Sequence, residues 1–358
     1  MSDARILDDR AAWMAADPFG MMGLTYDLPS QVSEAIQIGE AWDAPALSVK
    51  PNAVLVTGMG GSAIGGDLLR CLFEDVGSLP LAVNRDYRIP KFVGRETLVI
   101  AASYSGNTEE TLSAYRQAKE AGAQIIVLSS GGELTERAKA DGFPYITVPA
   151  GLPPRAALGY LFFPLVVACE KLELLPDLSR DRTLALEGLR KRRDAWGPDK
   201  ALDDNPAKVL ATKLAGRTPI VYGVAGYPTV AALRWKGQIN ENAKMHAFAY
   251  SLPEMNHNEI LGWVTGWQQA DNWSVMVLRD GAESAKMAKR IEVTKECVGR
   301  PEHWHELTAT GGCLLDRMMS LTYFGDFVSV YLAFLNGQDP TNIDYINHLK
   351  SELAKVGD

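Results

Sequence analysis

Each half of the chain contains a short apolar run that ends in a glycine turn and precedes a helical pattern. This repeated unit restricts the possible folds more than any other feature of the sequence. Residues 53–57 and 219–224 are the two apolar runs. Such a run followed by glycines indicates a buried strand, a tight turn and a helix. Both units carry the spacing V-x-G-x-x-G, at Val56, Gly58 and Gly61 in the first half and at Val221, Gly223 and Gly226 in the second. The recurrence indicates a duplicated α/β unit.

Further apolar runs alternate with helical patterns in both halves. We expect strands at 79–83, 97–102, 124–128 and 145–148 in the first half, and at 274–278 and 307–310 in the second. Strands that alternate with helices are typical of βαβ units, which form a mainly parallel sheet with helices on both faces. The predicted fold class is therefore α/β, with one such sheet in each half.

The length of 358 residues suits two ordinary α/β domains. A strongly charged, proline-containing segment at 176–206 lies between the two patterns and is the expected connection. We therefore predict a first domain at 1–175 with a helical N-terminal extension, a connecting segment at 176–206, and a second domain at 207–358 that closes with a C-terminal helix.

A basic run, Arg190–Arg193, lies within the connecting segment. It could bind an anion, but acidic residues flank it on a predicted helix. A solvated helix face is the favoured interpretation of such mixed charge.

Charge and cysteine content exclude several classes of function. The chain has 36 basic and 44 acidic side chains, so its formal charge is −8 and we expect neither nucleic acid nor a membrane as a partner. The four cysteines are scattered without a CxxC spacing, which argues against a zinc site and a disulfide framework. The longest apolar stretch, 158–169, is too short to span a bilayer. We expect a soluble cytoplasmic protein without a targeting signal.

Two hydroxyl-rich turns follow predicted strands of the first half. They are Gly60–Ala63 and Ser103–Thr108. Backbone N–H groups at a helix N-terminus favour a phosphate, and glycine lets the backbone approach it closely. Ser, Thr and Asn are also ordinary helix N-caps, so either turn alone is ambiguous. Because ligands of open α/β sheets collect at the carboxyl ends of the strands, the two turns together predict a phosphate site.

The first turn also matches a degenerate dinucleotide fingerprint, G-x-G-x-x-A, at Gly58, Gly60 and Ala63. A dinucleotide site would require an acidic residue at the end of the next strand, where this chain has Asn84 and Arg85. The second hydroxyl-rich turn has no role in such a site, and neither glycine turn carries the GK[ST] of a P-loop. The fingerprint is therefore weak evidence for a nucleotide.

The second half contains unusual polar stretches at 234–244 and 252–260. On the predicted helix, Glu241 lies roughly 200° around from Ile239 and so falls outside the apolar stripe. Periodicity leaves open whether this carboxylate is solvated or catalytic. His257 is equally open between a hydrogen-bonded loop histidine and a catalytic one.

These motifs resemble those of sugar isomerase (SIS) domains. From about Ala53 to the tail, the chain most resembles the bifunctional phosphoglucose/phosphomannose isomerases. The resemblance implies two SIS domains and a hexose phosphate substrate. It also implies that phosphate is bound by Ser62, Ser103, Ser105 and Thr108, with backbone support from Gly60, Gly61 and Gly106.

The resemblance further assigns catalytic roles. Glu241 would move a proton between adjacent carbons through a cis-enediol, and His257, reaching across from the other subunit of a homodimer, would open the sugar ring. Arg155 would stabilise the enediolate oxygens, and Lys350 would assist ring opening or be an ordinary surface lysine. The chemistry requires no metal and no cofactor. It would belong to glycolysis and gluconeogenesis.

The expected reaction converts glucose 6-phosphate, and also mannose 6-phosphate, to fructose 6-phosphate. Members of the family carry a threonine seven residues before the lysine that is linked to mannose acceptance. This chain has Ile343 there, with Thr341 two residues earlier. Two alternatives are a noncatalytic sugar-phosphate sensor, which could lose Glu241 and His257 freely, and an NAD(P)-dependent enzyme that uses the Gly58 turn.

Overall fold

The computed structural model describes residues 4–266, 271–353 and 355–356. Its first sheet has five parallel strands in the order β2-β1-β3-β4-β5. The central strands are buried almost throughout, as expected for a parallel sheet with both faces covered. The strands are β1 Ala53–Thr57, β2 Leu81–Asn84, β3 Thr97–Ala102, β4 Gln124–Ser129 and β5 Tyr145–Thr147.

The second sheet has four parallel strands in the order β7-β6-β8-β9. This is the same spatial order as the first four strands of the first sheet, so the predicted duplication is confirmed at the level of topology. The strands are β6 Thr218–Val224, β7 Phe248–Leu252, β8 Trp273–Arg279 and β9 Trp304–Thr308.

The α-helices cover the sheets and connect their strands. They are α1 Arg10–Ala16, α2 Met21–Tyr26, α3 Leu28–Ala41, α4 Gly60–Val76, α5 Glu109–Glu120, α6 Gly132–Asp141, α7 Leu158–Lys171, α8 Ser179–Trp196, α9 Pro206–Leu214, α10 Tyr227–Ala243, α11 Trp263–Gly266, α12 Ala285–Val298, α13 Leu314–Leu335 and α14 Asp344–Leu353. The predicted α/β class, with a helix-flanked parallel sheet in each half, is confirmed.

The long apolar helix α13 is a core element that packs against α8, α9 and α10. Within the described ranges it is the one helix long and apolar enough to cross a bilayer, but its apolar window is completely buried by the rest of the fold. The indole N–H of Trp235, on α10, donates to the Leu321 carbonyl of α13 at 2.9 Å. This packing fixes α10, which carries much of the candidate site.

Two sequence predictions need correction. Strand β7 was missed, and β9 begins three residues before its predicted position. The basic run on α8 is not simply a solvated face, because Arg192 is buried and its Nη1 lies 2.5 Å from Asp316 Oδ1. A carboxylate partner makes burial of this guanidinium tolerable. Its neighbour Arg193 lies over the ring of Tyr26 at 5.0 Å.

Candidate active site

The first predicted phosphate turn begins α4, shortly after the end of β1, and lies against the 3₁₀ turn Pro154–Ala156. A Cβ on Gly61 would come within 2.7 Å of the Pro154 carbonyl oxygen, so this approach requires glycine. Gly60 has a φ of +50°, in the left-handed region that favours glycine. The glycine turn therefore places the N-terminus of α4 next to the turn that carries Arg155.

The second predicted turn follows β3, the strand adjacent to β1, and the two turns make contact. Ser62 Oγ accepts a hydrogen bond from the Tyr104 N–H at 3.3 Å. Ser103 Oγ and Thr108 Oγ1 are 2.9 Å apart, and Ser105 Oγ accepts from the Asn107 N–H at 3.2 Å. Ser62 and Ser105 are acceptors in these bonds, so both retain an O–H that can donate to an anion.

Gly106 is required by the shape of the second turn. Its φ is +69°, and its N–H donates to Ser103 Oγ at 3.1 Å. An added Cβ would lie 1.8 Å from the Gly131 carbonyl oxygen, which leaves no space for any side chain. The structure thus brings the four predicted phosphate ligands and their supporting glycines to the carboxyl edge of the first sheet.

Arg155 is a buried cation that joins the two halves of the chain. Its side chain is 5% exposed, and its Nη1 donates to Glu241 Oε2 at 3.1 Å. Its Nε donates to Asn242 Oδ1 at 2.8 Å, and its Nη2 donates to the Pro340 carbonyl oxygen at 2.6 Å. Burial lowers the pKa of Arg155, and Glu241 opposes that effect. A guanidinium nevertheless remains protonated at neutral pH.

A second buried guanidinium supports the first. Arg234, on α10, donates through Nη2 to the Arg155 carbonyl oxygen at 2.9 Å. It also forms two hydrogen bonds of 2.9 Å to Asp326 on α13, whose Oδ1 accepts from Gln238 at 2.8 Å. Burial raises the pKa of Asp326, whereas Arg234 opposes this rise. The network fixes the Arg155 turn relative to α10.

Glu241 lies between two cavities. A cleft of about 200 Å³ is lined by Gly60 and Gly61 on one side and by α10 residues, including Glu241, on the other. A larger cavity of about 740 Å³ lies between the C-terminal end of α10 and residues 338–346. Glu241 and Asn240 line both. The carboxylate is therefore accessible from the first phosphate turn and from the C-terminal segment.

Lys244 is a cation of this site that the sequence prediction did not include. It terminates α10 in the left-handed conformation with a φ of +56°. Its ammonium group donates to the Glu241 carbonyl oxygen and lies 3.3 Å from the Pro340 oxygen, which Arg155 also contacts. Burial, and then the charge of Arg155, lowers the pKa of Lys244.

The structure does not bring His257 and Lys350 into contact with Arg155 and Glu241. His257 ends the 3₁₀ turn Glu254–His257 after β7; it is exposed and lines neither cavity. Within the described ranges its side chain forms no hydrogen bond or ion pair. Lys350 is exposed on α14, one turn beyond Ile346, which lines the larger cavity. Of the four predicted catalytic residues, only Arg155 and Glu241 are in contact.

Several residues of the site were missed by sequence reasoning. Arg234 and Gln238 lie four apart on α10, a spacing that places them on one helix face, and this was an available signal. The Pro340 carbonyl has no side-chain signal at all. In the part of the chain that the structure describes, no group of three or more His, Cys, Asp or Glu residues could hold a metal ion.

Two family models match the chain. The model for the SIS domain matches residues 48–141, and the model for the bacterial phospho-glucose isomerase C-terminal SIS domain matches residues 203–353. The first range contains β1 to β4, and the second contains all four strands of the second sheet. The chain is therefore built from two SIS domains.

Curated relatives cover nearly the whole chain. A bifunctional phosphoglucose/phosphomannose isomerase from Caldicellulosiruptor bescii is 42% identical over 94% of this chain and 100% of that protein. A protein of the same description from Thermoplasma volcanium is 34% identical over 85% of this chain and 92% of its own length. A solved structure of a hypothetical protein from Thermus thermophilus covers 99% of this chain and 95% of that one, with a TM-score of 0.72 and 16% identity, which indicates a shared fold.

Proposed function

The chain belongs to the family of bifunctional phosphoglucose/phosphomannose isomerases and is a sugar-phosphate isomerase, and on this premise we propose that it converts glucose 6-phosphate and mannose 6-phosphate to fructose 6-phosphate through a cis-enediol. The observation that carries the proposal is the contact between Arg155 and Glu241, whose Nη1 and Oε2 atoms are 3.1 Å apart beside the Gly60–Gly61 turn. It supplies a carboxylate base and a cation close to a candidate phosphate site.

Glu241 is the proposed base. Its carboxylate takes the proton from C2 of the open-chain aldose, and the electrons of that C–H bond form the C1–C2 double bond of an enediolate. The hydroxyl proton on O2 is then transferred toward O1. Return of the carboxyl proton to C1 gives the ketose, so the base is regenerated. The partial exposure of Glu241 to both cavities supports this access.

Arg155 is the proposed stabiliser of the enediolate. Of its five N–H groups, three donate to Glu241, Asn242 and Pro340, which leaves two for a substrate oxygen. Preorganised donors in a dry site stabilise developing negative charge without reorganisation. Its burial and its fixed orientation support this role.

The phosphate group is proposed to bind at the two hydroxyl-rich turns, on Ser62, Ser103, Ser105 and Thr108. The N-termini of α4 and α5 begin there, and their unpaired N–H groups favour an anion. The phosphate turns belong to the first domain, which would extend to residue 175, and the proposed base belongs to the second, which would begin at residue 207. The substrate would therefore lie between the two domains.

His257 and Lys350 are proposed to open the ring, with His257 supplied by a second copy of the chain. Exposed apolar side chains before and after His257 in the chain support a homodimer, because Phe248, Leu261 and Val264 are 51%, 70% and 69% exposed. Phe248 lies on β7, an edge strand of the second sheet. The proposed chemistry uses neither a metal nor a redox cofactor, and we place the enzyme in the cytoplasm.

A direct assay tests the proposed function. Purified protein is incubated separately with glucose 6-phosphate and mannose 6-phosphate, and formation of fructose 6-phosphate is measured. We expect both substrates to be converted. Binding of both hexose phosphates without turnover would favour a noncatalytic sensor instead, and a nicotinamide-dependent absorbance change would favour a dehydrogenase.

A further inference from the structure

The smaller cleft between α4 and α10 contains one positive charge that no carboxylate balances. Three of the cations that line it have a partner: Arg155 pairs with Glu241, Arg234 with Asp326 and Arg85 with Asp67. The fourth cation is Lys236. Within the described ranges the Lys236 side chain forms no ion pair or hydrogen bond.

The position of Lys236 differs from that of an ordinary surface lysine. It is partly buried, and it lies one turn before Asn240, which lines the same cleft. Residues four apart on a helix share a face, so the Lys236 side chain lies on the cleft side of α10. Partial burial of an ammonium group is unfavourable without a counter-charge. The cleft is thus complementary to an anion.

The opposite wall of the cleft is suited to the same anion. Gly60 and Gly61 form the first turn of α4, where N–H groups and the positive end of the helix dipole are directed outward. Arg85 directly follows β2, at the carboxyl edge of the first sheet where ligands of such folds collect. Ser62, a proposed phosphate ligand, directly follows Gly61. An anion between these walls would therefore contact the phosphate turn and α10 together.

We propose that Lys236 contacts the phosphate group of the hexose phosphate and supplies, from the second domain, the charge that the hydroxyl groups of the first domain lack. A phosphate monoester carries a charge of about −1.5 to −2 near neutral pH, which hydroxyl donors alone do not neutralise. This inference rests on the proposed function. It makes Lys236 a binding residue that contributes to phosphate binding from the second domain.

The test compares Lys236→Met with Lys236→Arg. Loss of a charge-assisted hydrogen bond predicts that Lys236→Met raises KM for glucose 6-phosphate about 10- to 100-fold, while kcat changes less than about 3-fold. Competitive inhibition by inorganic phosphate should weaken by a similar factor. Lys236→Arg keeps the charge and should restore most of the affinity. Lys191→Met, on the exposed face of α8, removes the same net charge far from the cleft and should leave KM unchanged.

Calorimetric titration with inorganic phosphate separates this inference from the proposed function, because it needs no turnover. Weaker phosphate binding by Lys236→Met, with a normal melting temperature, supports the contact even if the wild-type protein isomerises neither hexose phosphate. Unchanged phosphate binding and unchanged KM would overturn it. An equal effect of Lys191→Met would also overturn it, since the charge would then act without a specific contact.

Discussion

Nη1 of Arg155 lies 3.1 Å from Oε2 of Glu241, although the two residues are 86 positions apart in the chain. Arg155 comes from a turn beside the first sheet, and Glu241 comes from the helix that follows β6 of the second. The candidate chemistry therefore depends on how the two SIS domains pack together. The further contacts of Arg155 with Asn242 and Pro340 make this arrangement specific to a guanidinium.

Replacing Arg155 by lysine tests that specificity. Lysine keeps the charge, but its three N–H groups sit on one nitrogen, so they cannot reproduce the contacts that the planar guanidinium makes through three separate nitrogens. We expect Arg155→Lys to lower kcat about 10²- to 10³-fold with a smaller change in KM. Steady-state kinetics with glucose 6-phosphate measure this effect. Lys236→Arg, which exchanges lysine and arginine at another position of the cleft, is the control. Activity within about 2-fold of wild type would show that only the charge is needed.

We expect the relative activity toward the two hexose phosphates to depend on the C-terminal segment. Ile343 lines the larger cavity beside Glu241, whereas Thr341 Oγ1 is buried and has no hydrogen-bond partner in the described part of the chain. A hydroxyl at position 343 could contact a sugar hydroxyl, so we expect Ile343→Thr to raise the ratio of mannose 6-phosphate to glucose 6-phosphate turnover about 10-fold.

The matched variant is Thr341→Val, which removes the neighbouring hydroxyl without changing Ile343. If Thr341→Val lowers mannose 6-phosphate turnover and Ile343→Thr has no effect, the discriminating hydroxyl is already present two residues earlier. Paired kcat/KM values for the two substrates distinguish these results.

Stability should fall in mild acid because of His305 on β9. Burial, followed by the charges of Lys213, His303 and Arg217, lowers the pKa of His305 from 6.5 to about 4. The unfolded chain binds the proton near pH 6.5, whereas the folded chain binds it only near pH 4, so acidification through this window favours unfolding. We expect the urea midpoint to decrease from pH 7 toward pH 4.5.

The control for this pH dependence is His305→Asn, which cannot take the proton. Its urea midpoint should vary less over the same pH range than that of the wild-type protein. Parallel curves for the two proteins would show that other groups, such as the acidic residues near this face, produce the acid sensitivity.

The proposed sharing of His257 between subunits can be tested by mixing inactive chains. A heterodimer of Glu241→Gln and His257→Ala chains has one site with both substitutions and one intact site if His257 crosses the interface. Random pairing should then restore about a quarter of wild-type activity per chain. Activity no greater than the sum of the two variants alone, with heterodimers present by native mass spectrometry, would place His257 in its own subunit's site or outside the reaction.

The sheets could be predicted from sequence because most of their strands are buried on both faces and appear as continuous apolar runs. Strand β7 could not, since it lies on an edge of the sheet, where Phe248 and Tyr250 are exposed and no continuous apolar run marks the strand. The start of β9 was missed for a similar reason: after the buried Trp304, the residues of this strand are partly or fully exposed.

The candidate site was only partly predictable. The hydroxyl-rich turns have a local physical signal, whereas the pairing of Arg155 with Glu241 arises from tertiary packing that no local pattern contains. The positions of Lys244 and the Pro340 carbonyl are likewise set by tertiary contacts between the end of α10 and the residues that follow α13. The roles of His257 and Lys350 stay predictions.

The central claim is that Glu241 transfers the proton between C1 and C2. Its most direct test is the kcat of Glu241→Gln for conversion of glucose 6-phosphate to fructose 6-phosphate, in protein shown by circular dichroism to be folded and by calorimetry to bind inorganic phosphate. Glutamine keeps the size and can still contact Arg155, but it cannot accept the proton, so kcat should fall about 10²- to 10⁴-fold. Turnover within about 3-fold of wild type would contradict the claim and assign the proton transfer to another group.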